Sequence, residues 1–527
     1  MSKALMIQGT GSGVGKSLVV AGLCRILSDL GVNVAPFKSQ NMALNSFITK
    51  EGGEIGRAQA LQAEAARVEP SVDMNPILLK ASSERSCHVV MNGKVYGDMM
   101  AADYYRFKET AWDAVTRAYE RLSRTHDVIV IEGAGSPAEI NLMEDEIVNM
   151  RVARHADASI LLVGDIDKGG VFASFLGTVE LLRNRHADAD YLKAFIINKF
   201  RGDVEILKPA FPMIEERTGR PVIGVIPYLG DLGLHEEDGI PPERLPGVFP
   251  DPSLTIDRSL KIVVLRLRYI SNFTDFDPFL YEPDVDLVYS LRERDIESAD
   301  MVIIPGSKNT VNDLLFLRDH GIERSIIRAA GKGTPVVGVC GGYQMLGKKV
   351  FDPLGIESHR KEVNGLGLLD VETVFEGTKV TAQVEAWPVD AGERGREPDA
   401  SPLRGYEIHM GRTTGDTGLF RLKRLSGVSV SDGESDGTVP DGSAKSGVWG
   451  TYIHGIFDHD GFRRSLLNRL RRGKDLEPLK ETVCYGALRE NALNRWAETL
   501  RESVDMKYVL GLVGGGGVPN GRGKRER

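Results

Sequence analysis

Two short segments carry residues whose types and spacing can do chemistry. The first is Gly9-Thr-Gly-Ser-Gly-Val-Gly-Lys16-Ser17, which follows an apolar run and opens a helical pattern. In that setting glycines turn backbone N–H groups inward around phosphate oxygens, and the helix N-terminus adds a favourable dipole. Gly13 and Gly15 give the loop its turn, Lys16 supplies a point charge for β- and γ-phosphates, and the Ser17 hydroxyl can ligate Mg²⁺. Thr10 stands where the strict G-x-x-x-x-G-K-[ST] pattern has its first glycine, with Gly9 one residue further out, so the loop is a longer variant. The second segment is Gly338-Val-Cys340-Gly341-Gly342, between an apolar run and a helical stretch. Small flanking residues permit the sharp turn of a nucleophile elbow, which lifts the side chain above a sheet. The helix N-terminus favours the thiolate, the reactive form, and the N–H of Gly341 is placed to donate to an oxyanion. Such a thiol needs a base, and two histidines compete: His454 in Gly450-Thr-Tyr-Ile-His454-Gly455, and His409 in Tyr406-Glu-Ile-His409-Met-Gly411.

Further polar residues end apolar runs. Glu132 closes Asp127-Val-Ile-Val-Ile-Glu132, and at the C-terminal edge of a sheet it is expected to hold Mg²⁺ opposite Ser17. Asp167, in Asp165-Ile-Asp167-Lys168-Gly-Gly170, should face the same crevice. Lys38, Gln40 and Asn41, in Phe37-Lys-Ser-Gln-Asn41, are candidates for phosphate or substrate contact. For Lys38 and Asp167 a solvated loop charge competes with this reading.

These residues need elements to position them. Strand-like runs fall at Ala4–Gln8, Val32–Phe37, Asp127–Ile131, Ser159–Val163, Ala194–Asn198 and Val222–Ile226, with helical patterns at Lys16–Leu30, Ile55–Val68 and Val171–Asn184. Alternation of this kind predicts an α/β unit on a mostly parallel sheet. A Pro- and Gly-rich stretch then breaks the rhythm, giving a phosphate-loop unit over 1–240 and a linker over 241–257. The rhythm restarts with strands at Lys261–Arg268, Met301–Ile304 and Val336–Val339, and beyond about Leu366 strands shorten and turns multiply. The fold class is therefore α/β throughout, with an antiparallel section in a second unit over 258–510. Two polar inserts, Ala391–Ser401 and Ser426–Ser446, read as surface loops, and 511–527 as a disordered tail.

Composition narrows the function. The 527 residues are 42% hydrophobic and 27% charged, with net charge −8 and no long basic stripe, which argues against nucleic acid as partner. Four dispersed cysteines without a CxxC pair argue against a disulfide framework and for a reducing cytoplasm. No apolar run approaches a membrane span, and the N-terminus lacks the pattern of a signal peptide.

The longer phosphate loop resembles that of dethiobiotin synthetase and its relatives, while the extra loop lysine of partitioning ATPases is replaced by Gly11. By the same resemblance Asn198 would read the adenine edge. Gly338-Val-Cys-Gly-Gly-Tyr-Gln344 is similar to the class I glutamine amidotransferase motif G-x-C-x-G-x-Q, in which Gln344 helps seat glutamine. Ile304-Pro-Gly306-Ser307 resembles the loop that supplies the second oxyanion donor. His454 stands where that family has its catalytic histidine, so it ranks above His409, which would be structural or substrate-facing. The family's usual Glu two residues on is Ile456 here, so the resemblance implies a Cys340–His454 dyad.

Both motifs on one chain resemble the corrinoid side-chain amidases. Within that family Lys38-Ser-Gln-Asn-Met-Ala-Leu-Asn45, Asp165-Ile-Asp-Lys-Gly-Gly-Val-Phe172 and Gly405-Tyr-Glu-Ile-His-Met-Gly411 resemble the branch that amidates carboxylates b, d, e and g of adenosylcobyrinic acid a,c-diamide. The resemblance implies ATP, Mg²⁺, glutamine as ammonia donor, a corrinoid substrate and no tightly bound cofactor; a homo-oligomer is compatible with it. The branch that makes the a,c-diamide is the nearest alternative. A phosphate-loop regulatory ATPase with a degenerate amidotransferase domain is another, against which the intact Cys340, Gln344 and His454 argue.

Overall fold

The computed structural model describes residues 2–81, 86–144, 146–183, 188–230, 232–234, 259–389, 402–426 and 437–514. The expected linker 241–257 and the tail beyond 514 lie outside the described residues, as do the whole insert 391–401 and residues 427–436 of the second insert.

In the first unit the strands order as Val222–Pro227, Leu192–Phe200, Ser159–Asp165, Lys3–Gly9, Val128–Glu132 and Val34–Phe37, every neighbouring pair parallel. Both faces of such a sheet are covered, which is why runs such as Val128-Ile-Val-Ile are apolar without alternation. One face packs Phe37, Ile131, Phe175 and Phe195, and the other Leu5, Ile7, Val20 and Leu23. The C-terminal edges of three adjacent strands bring the phosphate loop, Glu132 and Asp165 to one crevice.

The second unit repeats the plan. Its sheet runs Val285–Ser290, Leu260–Leu265, Met301–Ile304, Val336–Val339, Val448–Thr451 and Ser443–Lys445, parallel apart from the last pair. The antiparallel section is a long ribbon, Val371–Pro388 against Leu403–Gly415, extended by Phe420–Arg424 and Thr438–Asp441.

Several elements depart from the sequence expectation. Residues after Lys38 form a small sheet, Gln40–Met42, Ile77–Ala81, Ser86–Met91 and Lys94–Met100, and a two-stranded pair, Ser46–Ile48 with Glu54–Gly56. The helix expected from Ile55 starts at Arg57, because Ile55 is paired with Phe47. Part of the insert 426–446 is not loop: Thr438–Asp441 and Ser443–Lys445 are strands, anchored by buried Asp441 accepting from the Tyr452 N–H. Against an expected boundary at 510, helices Tyr485–Ser503 and Met506–Leu512 pack on the first unit, with Leu493, Trp496, Leu500 and Val509 in one apolar cluster with Leu23 and Ile26. Arg25 pairs with Glu490 at 2.5 Å and Arg489 with Glu64 at 2.6 Å across this contact. The chain end therefore clasps the helix that follows the phosphate loop. No helix among the described residues is long and apolar enough to cross a membrane.

Candidate active sites

Gly13 and Gly15 adopt φ of 68° and 95°, the left-handed turn that exposes the loop amides. Ser17 is the second residue of helix Lys16–Asp29, and its hydroxyl donates to Glu132 Oε1 at 2.8 Å. Lys38 is not a solvated loop charge: it is buried, with Nζ 2.8 Å from the same carboxylate oxygen. Gln62 donates to Glu132 Oε2 at 2.6 Å. Burial alone would raise the pKa of Glu132, but the Lys38 charge and these donors hold it below the usual carboxylate range. A hydroxyl beside an ionised carboxylate is a fitting pair for Mg²⁺, which takes oxygen ligands and keeps waters and phosphate oxygens for its remaining positions.

Lys16 Nζ donates to the Gly11 carbonyl at 2.8 Å and to that of Gly135 at 3.3 Å, so it lies across the loop. Asn198 donates to the Val14 carbonyl at 2.8 Å and braces the loop from below. Gln40 accepts from Tyr104, and Asn41 donates to Gln59 at 3.1 Å. Asp167 is half-exposed and pairs with Arg201 at 3.3 Å.

In the second unit Cys340 has φ 52° and ψ −109°, a conformation a non-glycine residue keeps only when its surroundings impose it. They do so here. A Cβ on Gly338 would come 2.6 Å from the Gly342 carbonyl, and one on Gly342 would collide with the Ile304 carbonyl, so only glycine fits on either side of the turn. The thiol opens into a cavity of about 510 Å³ shared with His454, His409, Gly341 and Gln344. Gly341 abuts the Gly306–Ser307 strand, with the Ser307 nitrogen packed against the residue that follows the thiol. Gln344 accepts from Thr310 at 3.0 Å and donates to Tyr452 at 3.1 Å, which fixes its amide.

His454 is buried, with Nδ1 2.6 Å from Asp275 Oδ2. Asp275 also accepts from the Gly455 N–H at 3.2 Å. The site is thus a Cys340–His454–Asp275 constellation, and a dyad understates it. Nε2 makes no hydrogen bond among the described residues, while Cys340 is near enough for its thiolate to favour the protonated ring. The titratable groups against the ring are Asp275, Cys340 and Tyr406, whose ring stacks on it at 5.1 Å. Burial pulls the imidazole pKa down, but the Asp275 charge and hydrogen bond, with the Cys340 contribution, lift it to about 10. At neutral pH His454 is therefore an imidazolium, ready to donate a proton. His409 differs: Nδ1 is 2.8 Å from the Gly411 carbonyl, Nε2 is 3.2 Å from Glu407, and the ring stacks on Tyr452. Both its nitrogens are engaged.

Two expected results follow. His454→Ala should lower glutaminase turnover by roughly 10²–10⁴-fold, the scale for losing a general acid–base group, with His409→Ala costing far less; glutaminase rates of the two variants side by side check this. Asp275→Asn should lower kcat by a comparable factor, because an amide no longer fixes the ring's tautomer and orientation. Since Asp275 is what raises the His454 pKa, its loss should also move the alkaline limb of the glutaminase pH–rate profile to lower pH.

The chain matches two family models, the CobQ/CobB/MinD/ParA nucleotide binding domain over residues 5–242 and the CobB/CobQ-like glutamine amidotransferase domain over residues 261–462. Joined on one chain, these two domains define a carbon–nitrogen ligase that carries its own amidotransferase, and the protein is an amidoligase. A protein of Thermodesulfovibrio yellowstonii named cobyric acid synthase is 48% identical over 514 residues, covering 98% of this chain and 100% of its own. Proteins of the same name from Desulfitobacterium hafniense and Dehalococcoides mccartyi are 46% and 45% identical, covering 97% and 98% of this chain and 98% and 100% of theirs. The chain belongs to the cobyric acid synthase family.

Proposed function

We propose that this enzyme uses ATP and glutamine to amidate carboxylates b, d, e and g of adenosylcobyrinic acid a,c-diamide, giving adenosylcobyric acid for cobalamin biosynthesis. The observation that carries this reading is the presence, on one chain similar to cobyric acid synthases along nearly its whole length, of a strained Cys340 facing His454–Asp275 and a phosphate loop facing Glu132. Residues 1–240 act as the synthetase unit and 258–510 as the amidotransferase unit, with the C-terminal helices clasped back on the first.

In the amidotransferase, Cys340 Sγ attacks the glutamine side-chain carbonyl carbon. The N–H groups of Gly341 and of the Gly306–Ser307 strand stabilise the oxyanion. The imidazolium of His454 gives its proton to the departing nitrogen, so ammonia leaves and a γ-glutamyl thioester remains on Cys340. Neutral His454 then takes a proton from water, whose oxygen attacks the thioester, and glutamate and the thiolate are regenerated. Asp275 keeps Nδ1–H pointed inward through both steps, which leaves Nε2 as the working nitrogen. Lys308, Glu357 and Lys379, with Lys80 and His88 from the first unit, line the same cavity and offer polar groups to the amino acid.

In the synthetase, Lys16 and the loop amides neutralise charge as the γ-phosphoryl group passes from ATP to a substrate carboxylate. Mg²⁺, held by Ser17 and Glu132, would supply further charge neutralisation at the phosphates. Ammonia attacks the acyl phosphate carbon and phosphate leaves, so no protein nucleophile is needed. The reading is tested by incubating the purified chain with the a,c-diamide, ATP and glutamine and counting new amides by mass: four are expected. Amidation of cobyrinic acid at a and c, with the a,c-diamide left unchanged, would overturn the substrate assignment.

A further inference from the structure

One motif has no task in the chemistry above: Met42-Ala-Leu-Asn45-Ser46, the continuation of the segment that begins at Lys38. Lys38 sits on Glu132 in the nucleotide site, yet eight residues later the chain is buried against the other unit. There the Ser46 N–H donates to Asn272 Oδ1 at 2.9 Å, and Asn45 Oδ1 accepts from the Phe273 N–H at 3.1 Å. The Ser46 carbonyl accepts from the Tyr406 hydroxyl at 3.1 Å. Asn45, Ser46, Asn272, Phe273 and Tyr406 are all buried, whereas Met42 is exposed.

These three bonds reach the surroundings of His454 from two sides. Phe273 is the first residue of the short helix Phe273–Tyr281 that carries Asp275, and Asn272 is its N-cap, held in the left-handed region at φ 52°. The Asn272 side chain does not cap its own helix; the orphan Phe273 N–H is satisfied instead by Asn45 from the other unit. Asn272 Nδ2 lies 3.4 Å from His454 Nδ1, beside the Asp275 oxygen. Tyr406, gripped through its hydroxyl, stacks on the imidazole with an interplanar angle of 16° and is bridged to His454 backbone to backbone. The group that orients the ring and the ring that covers it are therefore both pinned by the nucleotide-binding unit.

We propose that Asn45 and Ser46 are positioning residues of the amidotransferase, so that the Cys340–His454–Asp275 site is complete only when the nucleotide-binding unit is docked on it. The proposal rests on the glutaminase reading above. It makes glutamine hydrolysis depend on the unit that uses the ammonia.

The test is Asn45→Ala beside Asn45→Asp. Among the described residues the Asn45 Nδ2 makes no hydrogen bond, so Asp keeps the acceptor and loses no donor contact. For Asn45→Ala the glutaminase kcat should fall about 10–100-fold, with KM for glutamine changed less than about threefold. That is the scale of misplacing, without removing, an acid–base group. The alkaline limb of kcat should move to lower pH, as for Asp275→Asn. Ammonia-dependent amidation should stay at the wild-type rate, which shows that the synthetase remains folded. Asn45→Asp should recover part of the lost kcat, because it restores the acceptor while burying a carboxylate. The proposal is overturned if Asn45→Ala keeps wild-type kcat and pH profile, if ammonia-dependent amidation falls in parallel, or if Asn45→Asp is no better than Ala. Failure of the underlying reading looks different, because Cys340→Ala would then still hydrolyse glutamine whatever Asn45 does.

Discussion

Cys340→Ala should abolish glutamine-supported amidation while leaving amidation from high ammonia intact. The loss should be on the order of 10⁴–10⁶-fold, the scale seen when a nucleophile that works as a unit with its base is removed. No other thiol can substitute. Cys24 is buried inside the first helix, where desolvation pushes its pKa far up, and only Cys340 among the described cysteines lines the cavity with His454. The synthetase survives because its groups, Lys16, Ser17, Lys38 and Glu132, belong to the other sheet. Amide release from glutamine and product formation, measured on the same samples, separate the two activities.

Lys16→Ala should show the opposite pattern, with synthesis from both glutamine and ammonia falling by roughly 10²–10³-fold, the scale for removing one group aimed at transition-state charge. Glutaminase activity without acceptor should persist. Glu132→Gln should behave similarly and should raise the Mg²⁺ concentration needed for half-maximal rate. It should also destabilise the protein, because buried Lys38 then loses its carboxylate, and breaking a buried pair costs about 3–5 kcal/mol. Thermal unfolding of Glu132→Gln against Lys16→Ala distinguishes the two effects. If ammonia-supported synthesis by Lys16→Ala ran at the wild-type rate, the phosphate-loop assignment would fail.

The elements that position these residues were legible wherever a local pattern reports them. The six parallel strands of the first unit and three in the second coincide with apolar runs, because a strand buried on both faces must be apolar. The phosphate loop and the elbow were legible because their backbone geometry admits few residues beside glycine. What stayed hidden depends on distant pairing. Asp275 is 179 residues from His454, and no fixed spacing links them; the available signal was an acid placed in the apolar stretch Phe273–Phe279, where an unpaired carboxylate would be costly. The small strands between Gln40 and Met100 are short, and Lys94–Met100 is largely exposed, so hydrophobic periodicity reports them weakly. Tyr485–Ser503 read as the end of the second unit by position alone, whereas its apolar face is satisfied by the helix after the phosphate loop. For Lys38, a phosphate or substrate candidate, a solvated charge stayed in competition because nothing local shows that Glu132 will meet it.

Glutamine labelled with ¹⁵N at the side-chain amide follows the nitrogen from Cys340 to the product. The purified chain is given the a,c-diamide, ATP and the labelled glutamine, and the product is weighed. Every new amide made by the wild-type chain should carry one ¹⁵N, and Cys340→Ala should give no labelled product, making unlabelled product once ammonia is supplied. Labelled amides from Cys340→Ala at the wild-type rate would contradict this route.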